Sequence, residues 1–534
     1  MATFGGLVIT GMCLCILYLL ESRPPTGSRT VIGKPAGPTT TASVHPAPDE
    51  ASKEEQSRLM LLHPDHHVRR EPKTIHLSWN ITQDKRSPDG VLKSIYVING
   101  QFPGPLIEAR SGDELIVDVY NGITAEGHPG ISIHWHGLSM KGANEMDGVV
   151  GLTQCAILSS EQFTYRFRIP DHQSGTFWYH AHSGVQRADG LYGGLVVHKP
   201  AHEDEAADPI MHQYEKEQLL LVGDWYHRQG NEVLEWFVDP DHYGLEPAPD
   251  SILLNGRGSF NCSMAVKARP VECKDVETPV IQITDADRVR IRVINTGVSA
   301  GFSIGLSHGT MRPITVDGGN SLNEDTPSAK TLGLIFPGER VDLIVDRAAV
   351  HTRETQNETS AKLTIELDNE NMPLHNFALT RTQSFPVKWG NRDVDDKELP
   401  RRSKPGTVVA VFNLADASGQ RQPTDSGVST EPFHQAVLYS TMKIRAAKHN
   451  QPVGSINHTS WISPQPDARP LLSLEREEWA KVVPQPTDVH KFDVPWFKDT
   501  GPGKWVELAI NNFDDKGHPF HLVSGTGSER SFLH

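Results

Sequence analysis

Through most of the chain after residue 72, apolar and polar residues alternate with a period of two. Leu115, Val117 and Val119 share one face of a predicted strand. Phe163, Tyr165, Phe167 and Ile169 do the same, with Thr164, Arg166 and Arg168 opposite. Val289, Ile291 and Val293 repeat the pattern and put Arg288, Arg290 and Arg292 on an outward face; Val506, Leu508 and Ile510 repeat it near the end. No long run at helical spacing competes. Short half-buried strands, punctuated by 45 Gly and 38 Pro, predict an all-β protein of antiparallel sandwiches or barrels.

Two early stretches lack this rhythm. Ala2 to Leu20 carries no charge and, as a helix, reaches roughly 29 Å, close to the hydrocarbon thickness of a bilayer. Residues 1–22 read as a signal-anchor or a signal peptide, so the chain enters the secretory pathway, either membrane-anchored through residues 2–20 or secreted. Residues 23–72 are rich in Pro, Thr, Ser and charge and read as a disordered linker, in which His63, His66 and His67 are solvated polar residues. Later breaks divide the remainder into segments 73–200, 209–370 and 385–534, in keeping with the length of 534 residues.

A net charge of −15 argues against nucleic acid as a partner. Sequons at Asn80, Asn261, Asn357 and Asn457 are candidate glycosylation sites and suit the secretory route. Cys13 and Cys15 lie in the apolar segment; Cys262 and Cys273 are near enough in sequence to close a short loop, which makes Cys155 the odd one.

The candidate chemistry is carried by histidines. His134 and His136 alternate on one strand, as do His180 and His182, so each pair projects to one side. His518 and His521 add a third cluster. Imidazole suits zinc, copper, iron and nickel alike, so the donor type alone does not choose the metal.

The words around these histidines are more specific. Asn99-Gly100-Gln101-Phe102-Pro103-Gly104-Pro105, Ile133-His134-Trp135-His136-Gly137, Trp178-Tyr179-His180-Ala181-His182 and His518-Pro519-Phe520-His521-Leu522 resemble the multicopper oxidases, with the laccase and ascorbate-oxidase branches nearest. Asp147-Gly148, Asp189-Gly190, Asp224-Trp225-Tyr226, Asn255-Gly256 and Pro337-Gly338-Glu339-Arg340 extend the likeness, which runs from about Lys73 to Leu522. The resemblance implies three cupredoxin-like Greek-key β-sandwich domains and four coppers. It implies that His134 and His521 serve a type 2 copper, that His136, His180 and His182 serve a type 3 pair, and that His518 serves a type 1 copper. It also implies O2 and a small reducing substrate as partners, with one-electron oxidations coupled to four-electron reduction of O2, and a local disulfide between Cys262 and Cys273.

The likeness stops after Leu522. The resemblance implies a further histidine at the position of Val523, then a His-Cys-His stretch with one more histidine; none of these follows. The resemblance also pairs Cys155 with a cysteine near the C-terminus, and none is there. Val-Ser is what a GTGAGY splice donor encodes, so residues 523–534 read as a translated intron, the third domain as incomplete and the chain as inactive. The glutamate of the iron-oxidising members' Glu-Asp-Gly corresponds to Ala188, whereas Asp514 matches their other acidic position. Phenols or related diols are therefore the expected substrates. A ferroxidase-type metal oxidase, a zinc hydrolase and a non-catalytic copper-binding secreted remnant are the rival readings.

Overall fold

The computed structural model describes residues 60–125, 127–201, 208–242, 244–283, 286–347, 360–370, 376–389, 407–419, 432–445, 451–457, 460, 468–478, 506–514, 518 and 520. Ala2 to Leu20, Asn357 and His521 lie outside them. No helix among the described residues is long and apolar enough to cross a membrane.

The first unit is a sandwich of two four-stranded sheets. One runs in the order Lys93–Ile98, Thr74–Arg86, Glu114–Asn121, Gln162–Arg168; the other runs Gly104–Arg110, Tyr192–His198, Gly175–Ala181, Ile133–His136. The alternation read from the sequence is its cause. Leu115, Val117, Val119 and Tyr165 are buried between the sheets, while Thr164, Arg166 and Arg168 are exposed. From the facing sheet, Ile133, Trp135, Phe177, Tyr179 and Ala181 complete the same core.

Gly175–Ala181 is buried along its whole length because both its faces are covered. Phe177 and Tyr179 face the sandwich core, whereas Trp178 packs with Leu62, Leu219, Leu221 and Ile294 on the outer side. That outer side meets the second unit, a 13-stranded sheet built mainly from strands between Lys216 and Trp389.

Here three expectations change. Arg290 and Arg292 do not face solvent; both are buried, because the outward face of Arg288–Asn295 lies against the first sandwich. Arg290 donates to Asp342 Oδ2 at 2.6 Å and to Asp208 Oδ2 at 2.8 Å. Arg292 donates to Glu217 Oε2 and Asp342 Oδ2, each at 2.8 Å, and to Thr176 Oγ1 at 3.0 Å. An alternating pattern gives no sign of such a network, in which each buried charge has an opposite partner.

The linker is also shorter than expected. Leu61–Leu62 pairs with Lys216–Trp225, and Met60 and Leu62 are buried, so residues 60–72 are part of the folded body. Finally, Thr382–Trp389 and Val408–Phe412 pair with strands of the second unit, Ser360–Leu367 and Ser328–Ile335, so this sheet reaches beyond residue 370.

Towards the C-terminus, Gln451–Ile456, His434–Arg445 and Val506–Asn512 form a separate three-stranded sheet.

Candidate metal centre

His134, His136 and His180 come from two strands that fix one another, and His182 follows directly after the second. Ile133–His136 and Gly175–Ala181 are antiparallel, with His134 opposite His180 and Trp135 opposite Tyr179. Directly opposed residues project to the same face. Trp135, fully buried among Tyr165, Phe167 and Tyr179, locks the odd-numbered positions into the core. The even-numbered histidines must then emerge on the outer face, and a slip of one residue would reverse both sets.

That face is held against the second unit. Thr176 donates to Asp342 Oδ1 at 2.5 Å, and Arg340 Nε donates to the Thr176 carbonyl at 3.2 Å. Gly175, at φ 137°, lies so close to Gly318 and Gly319 that a Cβ would fall 2.5 Å from their backbone. The strand bearing His180 therefore starts from an anchored end.

Potential ligand nitrogens of His134, His136 and His180 all lie within 4.8 Å of one another. All three residues are buried. His182 stands beside them, its ring centroid 5.3 Å from that of His134 and 5.9 Å from that of His180, but it is outside the tight group. The ring orientations are set by backbone carbonyls. His134 Nδ1 donates to Asp147 O at 2.7 Å, and His180 Nδ1 donates to Ala181 O at 2.9 Å. With Nδ1 bound to a carbonyl, Nε2 is the nitrogen that each ring presents to a metal, the second-sphere arrangement that fixes ligating histidines. His180 Nε2 lies 3.2 Å from His136 Nδ1, where a shared proton can be replaced by a cation.

Asp147 reaches His134 only because Gly148 follows it. At φ 84°, Gly148 lies against the Ile133 carbonyl, and a Cβ would come within 1.9 Å of that oxygen. The Asp147-Gly148 motif thus has a direct purpose that its sequence did not reveal.

Burial holds His180 neutral far below the ordinary imidazole range, and the Arg187 charge and the neighbouring His134 and His182 act the same way. Burial, then His134, brings His182 down to about 3. Burial lowers Arg187 itself to about 10. Its guanidinium lies 5.6 Å from the centroid of Trp178, whose ring lies 4.2 Å from that of His180. Neutral imidazoles in a shielded site are the form that binds metal without first losing a proton. Trp178 belongs to the histidine word itself, whereas the only sequence signal of Arg187 is its closeness to that word.

His518 is outside this tight group. Its side chain is nevertheless buried; Nε2 donates to Asp514 Oδ2 at 2.9 Å, and Nδ1 has no hydrogen-bond partner among the described residues. A buried lone pair with an oriented ring fits a ligand position. Cys262 and Cys273 form a disulfide, and Cys155 Sγ lies 3.4 Å from the Ala468 carbonyl.

The donor set therefore fits copper on the first sandwich: imidazoles, buried, with no carboxylate in the tight group. For a type 1 copper, His518 fits, but the 534 residues hold no His-Cys-His to supply the thiolate.

The comparisons with known proteins agree with this geometry. Two family models described as "Multicopper oxidase" match residues 80–202 and 216–353. Laccase-2 of Cryptococcus neoformans is 32% identical over 352 residues, 64% of this chain and 54% of that protein. L-ascorbate oxidase of Nicotiana tabacum is 35% identical over 254 residues, 46% of this chain and 42% of that protein. The chain thus spans about half the length of the curated relatives it matches. The crystal structure of a laccase from Botrytis aclada superimposes with a TM-score of 0.54 at 26% identity, covering 74% of this chain and 66% of that one. The sheets are of cupredoxin type. From the paired strands, the buried imidazoles and these matches together, the chain belongs to the multicopper oxidase family.

Proposed function

We propose that the lineage reaction of this chain is oxidation of phenol- or diol-type substrates, one electron at a time, coupled to reduction of O2 to water. The observation that carries the reading is the buried group of His134, His136 and His180, whose ligand atoms lie within 4.8 Å of one another on two paired strands. Following the resemblance, His134 with His521 takes the type 2 copper, His136, His180 and His182 take the type 3 pair, and His518 takes the type 1 copper. Bound copper supplies the stored electrons that a one-electron donor cannot deliver together.

The protein's own part is positional. Asp147 and Ala181 carbonyls hold two imidazoles in the tautomer that presents Nε2. Asp514 does the same for His518, leaving Nδ1 as the ligand atom. Because Asp514 is engaged there, its match to the iron-oxidising members gives little support to a ferroxidase. The likeness to laccases, and to an enzyme named for ascorbate, an enediol, supports an organic substrate. A secretory location is supported by the disulfide and by the exposure of Asn80 and Asn261, two of the four candidate glycosylation sites.

The 534 residues themselves carry six of the ten implied histidine ligands and no type 1 cysteine. We therefore expect this chain to bind copper on the first sandwich but to sustain no turnover. Oxygen uptake with a phenol, together with the visible spectrum of the copper-loaded chain, tests this. Neither uptake nor a blue band is expected; a blue band would overturn the inactive reading.

A further inference from the structure

A second group of ligand atoms lies in a part of the molecule that the histidine words do not touch. His67, Glu108 and His198 each offer an atom, all within 4.8 Å of one another. They come from three separate elements. His67 follows the short 3-10 turn Pro64–His66, Glu108 lies on Gly104–Arg110, and His198 ends Tyr192–His198.

We propose that these residues form a distinct metal site, a clasp for a zinc-type divalent cation that ties residues 60–70 to the first sandwich. Two imidazoles and one carboxylate are a zinc-type donor set, with room for a water or a further protein ligand. His198 Nε2 and Glu108 Oε2 are 2.9 Å apart, joined by one proton that a cation replaces. His67 stacks on His198 with centroids 4.9 Å apart, and its Nδ1 accepts from Arg70 at 3.2 Å, which shows a lone pair at that nitrogen. Arg70 can release this contact because both of its terminal nitrogens hold Asp113. His63 adjoins the group, with its backbone N 2.8 Å from Glu108 Oε2 and its Nδ1 3.1 Å from Oε1, and so closes the segment over the carboxylate.

Such a clasp gives residues 60–70 a holding point that hydrogen bonds alone provide weakly. Leu61–Leu62 contributes only a two-residue strand at the sheet edge. Metal binding and segment docking are then one linked equilibrium, and binding releases a proton.

Zinc titration of the metal-free full chain by calorimetry tests the proposal, alongside His67→Ala, Glu108→Gln and, as a control for the histidine centre, His180→Ala. The wild type is expected to bind one more zinc than His67→Ala or Glu108→Gln, or to bind it at least about tenfold more tightly, whereas His180→Ala retains this equivalent. Zinc should also slow proteolytic release of the residues before 72 in the wild type and not in the two variants. Should a variant fold poorly, the wild-type proteolysis decides alone. Equal zinc binding in wild type, His67→Ala and Glu108→Gln, or cleavage before residue 72 that zinc leaves unchanged, refutes the site.

Discussion

The first sandwich and the C-terminal three-stranded sheet are written in the same alternating code but have different fates. In the first, Leu115, Val117 and Val119 are completely buried, sealed by a second sheet whose own outer face is covered again. In the other, Val437 remains 47% exposed and Ile510 36%, and Phe513, directly after its last strand, is 67% exposed. Alternation states which side chains share a face. Whether that face has a partner depends on residues far away in sequence, and of these two regions the first sandwich has the complete set among the described residues. Its histidine group inherits that rigidity, because Trp135 and Tyr179 hold the same two strands from the core side.

The largest effect is expected at the seam between the first sandwich and the second unit. Asp342→Ala removes the shared acceptor of Arg290 and Arg292 and leaves both charges buried, so a loss of about 3–5 kcal/mol is expected. Chemical denaturation measures it; a change within about 0.5 kcal/mol would show that the seam does not brace the first sandwich.

Core truncation sharpens the contrast. Leu115→Ala should cost about 2–5 kcal/mol, whereas Ile510→Ala, at a residue still 36% exposed, should cost less than about 1 kcal/mol. Equal losses in denaturation midpoints would mean that the two sheets are equally enclosed.

A smaller effect is expected from acid. Unfolded imidazoles titrate near 6.5, roughly, while burial keeps His182 at about 3 in the fold. The unfolded chain then binds more protons below about pH 6.5, so metal-free stability is complete above that value and falls as the pH drops towards 3. The melting temperature of metal-free protein across this window should fall less steeply in His182→Gln. An identical slope would remove His182 from the account.

Much of this was legible from residues. The all-β class followed from Leu115, Phe167 and their neighbours, and the family followed from the words around His134 and His180. What the sequence hid was tertiary. Arg290 and Arg292 occupy polar positions of an alternating strand, yet the first sandwich covers them, and no local pattern encodes a cover supplied from elsewhere. Residues 60–72 have linker composition, yet Leu62 and His67 find partners across the fold. Asp147 is a turn residue until its carbonyl is seen against His134. Spacing makes His182 the equal of His180, but the strand ends at Ala181 and His182 lies outside the tight group.

We propose that the first sandwich holds copper through its buried imidazoles with the ligands that the 534 residues carry. Copper titration of the metal-free 534-residue chain, followed by electron paramagnetic resonance and repeated on His180→Ala, tests it most directly. Histidine-nitrogen-coordinated copper is expected in the wild type and is lost or at least about tenfold weaker in the variant. Equal copper binding by a folded His180→Ala chain, or none by the wild type, would contradict it.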